Sequence, residues 1–129
     1  MKIFIDENVT HRFCPLLQAF DPHNDYSTIV ETFGRGTKDP VWMRALSEVS
    51  GKVALLSYER NLLKDPACRG FFDVGNINLI YLRSAWIDIP IQEQMWMLLK
   101  SWPEVLRLLN ENERSTLMVY LKGCRVRRA

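Results

Sequence analysis

The chain alternates between short apolar runs and amphipathic stretches. Residues 2–6, "KIFID", are apolar until Asp6, Glu7 and Asn8 stop them, the pattern of a parallel strand buried on both faces. Val9, Phe13, Leu16, Leu17 and Phe20 then recur at helical spacing and predict one apolar stripe. Pro15 is comfortable only in a first turn, so this helix starts later than the stripe or bends. "DPHN" predicts a turn, "DYSTIV" a second short strand, and "ETFGRGTK" a loop eased by its two glycines. Asp39-Pro40 reads as an N-cap and first helical position. Val41, Trp42, Ala45, Leu46 and Val49 would form that helix's buried stripe, with Gly51 as its C-terminal cap.

"KVALLS" is the clearest strand, apolar until Ser57. "YERNLLKDPACRGFF" predicts a short helix and a turn broken at Pro66, and "NINLIYL" another strand. Ile91, Met95, Leu98, Leu99 and Trp102 mark a strong helix. Ser101 and Glu104 bracket Pro103 as in a capping box, which predicts a second helix set at an angle to the first. "STLMVYLK" closes as a strand, a candidate for the sheet edge. This order of strands and helices predicts an α/β sandwich of three layers, a mostly parallel central sheet flanked by helices. Without repeats or linkers, one domain spanning residues 1–129 is expected, with 123–129 as a basic tail.

Composition narrows the class. A length of 129 residues suits one domain, and 47% apolar with 25% charged residues is the balance of a soluble globular protein. No apolar run reaches the ~20 residues of a membrane span, and "MKIFID" turns acidic too early for a secretory leader. Cys14, Cys68 and Cys124 are odd in number and scattered, which predicts reduced packing thiols and a cytoplasmic location. A net charge of +2 excludes gripping nucleic acid by bulk charge. The two histidines show no partner pattern, and the four tryptophans sit mostly on apolar helix faces, where core packing is expected.

The chemistry lies at the strand ends. In an open parallel sheet, ligands bind outside the carboxyl ends of the strands. The sequence sends Asp6 and Glu7 there after the first strand, Asp39 to the helix after the second, and Ser57, Glu59 and Asn61 after the third. Two carboxylates ~4 Å apart repel by roughly 4 kcal/mol at an effective dielectric near 20. Such a cluster must hold a proton, recruit a cation or spread. Oxygen donors suit Mg²⁺ or Mn²⁺, and a cation held this way suits hydrolysis of a phosphodiester. Each acid also has an ordinary alternative: Asp39 as a helix cap, Asp6, Glu7 and Asn8 as a strand stop, Glu59 as a surface charge.

"IFIDENVTHRFCPLLQAF", "GTKDPVWMRALSE" and "VALLSYERNLLKDP" resemble the PIN-domain nuclease superfamily. More narrowly they resemble its short PIN-like branch, often found as the toxin of a toxin–antitoxin pair. The likeness runs from Met1 to about Trp102. It implies a Mg²⁺- or Mn²⁺-dependent ribonuclease in which Asp6, Asp39 and Glu59 are catalytic metal ligands, supported by Glu7, Asn8, Ser57 and Asn61. It also implies an RNA substrate gripped by Arg12, Arg35, Lys38, Arg60 and Lys64, and a small antitoxin partner; a homodimer stays open. Two positions depart from the family's habit, with Glu59 where Asp is usual and Asn61 where a further acid is frequent. Two rivals remain: a metal-independent protein-binding module on the same fold, and a phospho-acceptor domain. The latter needs an Asp ending a middle strand, which neither "DYSTIV" nor "KVALLS" offers. "GRGTKD" lacks the spacing of a phosphate-binding loop.

Overall fold

The computed structural model describes residues 1–74, 77–113, 116–119 and 124–128. Six strands form one sheet: β1 (Lys2–Ile5), β2 (Asp25–Thr28), β3 (Val53–Ser57), β4 (Ile77–Leu82), β5 (Thr116–Val119) and β6 (Val126–Arg128). Their order is β2-β1-β3-β4-β5-β6. The first five run parallel and β6 pairs antiparallel with β5. Helices α1 (Phe13–Phe20), α2 (Ile29–Phe33), α3 (Asp39–Ser47), α4 (Pro66–Val74) and α5 (Ile91–Glu111) complete the α/β sandwich.

Successive strand residues point to opposite faces, and the two cores follow that alternation. Ile3, Ile5, Ala54 and Leu56 pack with Phe13 and Leu17 of α1 and with Leu98, Trp102 and Val105 of α5. Phe4, Val53 and Leu55 pack on the other face with Ile29, Trp42, Leu46, Cys68 and Phe72 from α2, α3 and α4. Burial on both faces is why these strands read as unbroken apolar runs. Trp42, Trp86 and Trp102 are buried as expected, whereas Trp96 is exposed.

The α1 helix begins at Phe13, later than the apolar stripe and in line with one of the two expected alternatives, so Pro15 falls in its first turn. Other local expectations are corrected. "DYSTIV" is strand only to Thr28, whose hydroxyl accepts from Glu31 N at 3.1 Å and starts α2 where a loop was expected. In α3, Met43 is buried while Val41 is exposed, and the helix ends before Gly51, which takes a positive φ of 86° in the turn to β3. Pro66 opens α4 instead of breaking a helix, with Asp65 Oδ1 accepting from Ala67 N at 2.9 Å.

The α5 helix runs unbroken through Pro103. Ser101 is buried, and its hydroxyl donates back to the Met97 carbonyl at 2.8 Å, so no capping box forms. Leu98, Trp102, Val105 and Leu109 carry one stripe past the proline, and tertiary packing overrides the local stop signal. Lys52 Nζ donates to the Leu109 and Asn112 carbonyls and satisfies the C-terminal end of this helix. The expected closing strand is β5, which lies inside the sheet; residues 115 and 120–122 of that expectation fall outside the described residues. Within the expected basic tail, Val126–Arg128 forms the edge strand β6. No helix among the described residues is long and apolar enough to cross a membrane.

Candidate active site

Adjacent parallel strands bring the first acid to its partner. Ile5 is in register with Leu56, and Asp6 N donates to the Leu56 carbonyl at 3.0 Å, extending the ladder by one step. Asp6 therefore leaves the sheet beside Ser57, the last residue of β3. Ser57 Oγ donates to Asp6 Oδ2 at 2.6 Å and accepts from Glu59 N at 2.8 Å. Glu7 N donates to Asp6 Oδ1 at 2.7 Å. A single hydroxyl thus fixes the Asp6 carboxylate and the backbone entering Glu59.

Asp6 is only 7% exposed. Burial raises its pKa; the bonds from Ser57 and Glu7 N oppose this, and the charges of Asp39 and Glu59 raise it again. Asp39 is raised as well, by burial against the opposing bond from Trp42, then by the charges of Glu59, Asp65 and Glu7. Acids from four segments of the chain therefore lie within one another's fields at the carboxyl edge of the sheet.

The ordinary alternatives sort unevenly. Asp39 makes no capping bond; Lys38 occupies the cap position, and Trp42 Nε1 donates to Asp39 Oδ1 at 3.1 Å. Glu59 does cap, with Oε1 accepting from Asn61 N at 2.9 Å at the head of the 3₁₀ helix Arg60–Leu63. Glu7 is exposed, and Oε2 accepts a long bond from Gly36 N at 3.4 Å. Asn8 and Asn61 are exposed. Trp42 was missed as the group that orients Asp39, although the i, i+3 spacing of the two residues on one helix was visible in the sequence.

A cleft of about 520 Å³ opens beside Asp6, with Glu7, Asn8, His11, Thr28 and Arg35 among its walls. Of the expected cations, Arg35 lines this cleft, while Arg12, Lys38 and Lys64 are exposed at neighbouring loops and caps. The Arg60 side chain lies outside the described residues. No group of three or more His, Cys, Asp and Glu that could hold a metal ion is gathered among the described residues. The donor set still suits Mg²⁺ or Mn²⁺. Such hard cations take oxygen ligands, and Mg²⁺ is commonly held by one or two carboxylates plus waters.

This fold and edge belong with a known class. The family model described as "PIN like domain" matches residues 1–84, well over half of the chain, and the chain belongs to that family. The matched segment carries Asp6, Asp39, Ser57 and Glu59; α5 and the β5–β6 pair lie beyond it. PIN domains are generally nucleases. No curated protein and no solved structure matches the chain.

Proposed function

We propose that the chain is a Mg²⁺- or Mn²⁺-dependent endoribonuclease that hydrolyses RNA phosphodiester bonds, acting in the cytoplasm as a toxin restrained by a small antitoxin protein. The observation that carries this reading is the buried Asp6 carboxylate, fixed by Ser57 and Glu7 N while Asp39 and Glu59 add like charge beside it. A buried carboxylate surrounded by like charges is costly as a structural device, and a divalent cation offsets that cost. Free thiols at Cys14, Cys68 and Cys124 agree with a reducing compartment.

One or two of Asp6, Asp39 and Glu59 would hold the cation directly, and the rest would reach it through its waters. When bound there, it would polarise a phosphoryl oxygen and acidify a water. Ser57 holds Asp6 in one orientation, and the Trp42 indole does the same for Asp39, which limits the reorganisation needed at the edge. Arg35, on the cleft wall, can position a phosphate against the acids, and the exposed Arg12, Lys38 and Lys64 can follow an RNA strand further out.

A second reading, a protein-binding module on the same fold, is favoured by the exposed Ile87, Ile91 and Trp96 near and along α5. Titrating Mn²⁺ while following the melting temperature separates the two. A cation-dependent rise that Asp6→Asn abolishes supports the hydrolase, and no response supports the module. If purified Asp39→Asn cuts RNA as fast as the parent, the ligand assignment is wrong. A short reading frame for a DNA-binding protein directly upstream of the gene would support the toxin role.

A further inference from the structure

A second hollow adjoins the acidic cleft. It encloses about 350 Å³ between the end of β3 and the start of α5, and its walls include Tyr58, Glu59, Ile87, Ile91 and Gln94. Asn8 and Thr10 line both hollows. One trough therefore passes the acids, with Arg35 on one side and the two isoleucines on the other. Among the described residues that line the second hollow there is no cationic side chain, and Glu59 is one of those residues. An anionic phosphate is disfavoured there, and a neutral flat group is not.

Gln94 gives the hollow a polar reader. The residue is 5% exposed, and Nε2 donates to the Ile89 carbonyl at 2.8 Å. A carbonyl can only accept, so this bond fixes which way the amide faces and leaves Oε1 to accept from the Tyr58 hydroxyl. One amide hydrogen of Gln94 has no partner among the described residues, and Oε1 retains a lone pair. An adjacent donor and acceptor on a fixed amide match the edge of a nucleobase.

We propose that this hollow is a nucleobase subsite, taking the base of the nucleotide next to the phosphate at the acids. The base lies against Ile87, Ile91 and Tyr58, and Gln94 and Asn8 bond its edge. The proposal rests on the nuclease reading for the position of the phosphate, but the chemistry of the hollow stands apart from cleavage.

The test uses fluorescent single-stranded RNA hexanucleotides carrying one abasic residue stepped along the chain. Their binding to the intact protein is followed by anisotropy in the presence of a chelator, so that affinity is read without cleavage. An abasic residue at one particular position should weaken binding about tenfold, the order expected for losing one stacked base, and other positions should cost far less. Ile87→Ser, at a site 58% exposed and outside both cores, should erase most of that difference. Equal sensitivity at every position, no binding, or an unchanged preference in Ile87→Ser overturns the subsite. A position-specific effect in a protein that cuts no RNA with Mg²⁺ or Mn²⁺ keeps the subsite and overturns the hydrolase instead.

Discussion

Asp6 and Asp21 are the same residue type, 7% and 6% exposed, at opposite edges of the sheet, and the protein treats them in opposite ways. Burial pushes Asp21 upward too, but the Tyr26 hydroxyl, Asn24 Nδ2 and the backbone and charge of His23 outweigh it, and its pKa is lowered. Tyr26 and Asn24 donate at 2.6 and 2.7 Å, and Trp102 Nε1 in turn donates to the Tyr26 hydroxyl at 2.8 Å. Asp6 has two donors and a set of like charges, and its pKa is raised. At one edge the surroundings neutralise a buried acid; at the other they oppose it. Equal burial therefore says little about role. Desolvation leads at Asp6, where like charges add to it, and hydrogen-bond donors win at Asp21.

The sharpest way to break this contrast is Asp6→Asn. Cleavage should fall by more than about 100-fold, beyond what loss of a supporting partner costs. The melting temperature should hold or rise, since a carboxyl raised from its ordinary 3.8 loses stability as pH climbs from the unfolded pKa through the folded one. A fall in melting temperature with unchanged cleavage would make Asp6 a structural acid like Asp21. Ser57→Ala should reduce activity by about 10- to 100-fold, with a weaker Mn²⁺-induced thermal shift, because the hydroxyl serves both Asp6 and the Glu59 backbone.

At the opposite edge the effects should appear in stability alone. Tyr26→Phe should cost about 1–3 kcal/mol in urea unfolding, because it leaves the Trp102 indole without its acceptor and Asp21 with one donor fewer. Its effect on cleavage should be nil. The smallest expected change is in pH dependence. A lowered carboxyl stabilises above its unfolded pKa, and that stability is lost as pH falls through the folded pKa. The urea midpoint should drop from about pH 6 to about pH 3, and Asp21→Asn should flatten that drop.

The sheet was legible because its central strands are buried on both faces, so "KIFI" and "VALLS" stand out without any knowledge of their partners. Helix ends were harder. Thr28 and Glu31 form an S/T-x-x-E signal for the start of α2 that was present but went unread behind the two glycines. Of the chain's three Asp-Pro pairs, two stand at helix starts with the same local signature. Asp65 caps its helix, while Asp39 turns to the Trp42 indole. The residue three positions on separates them, Trp42 after Asp39 and Cys68 after Asp65. Ser101 is decided by tertiary packing instead: its local neighbours suggest a helix start, and its burial supports helix continuation.

At the site, the placement of Asp6, Asp39, Ser57 and Glu59 at one edge was legible from strand order alone. The capping bond of Glu59, the field of Asp65 on Asp39 and the hollow beside Tyr58 were not. They depend on loop conformations and on how α5 meets β3, which no short pattern encodes.

The bond between Asp6 and Ser57 joins residues 51 positions apart through parallel strands, which cannot zip up from a local turn. During synthesis the first partner is made 51 residues before the second. A fragment released before Ser57 therefore carries the carboxylate without the hydroxyl that orients it, and translation must pass the end of β3 before the edge can assemble.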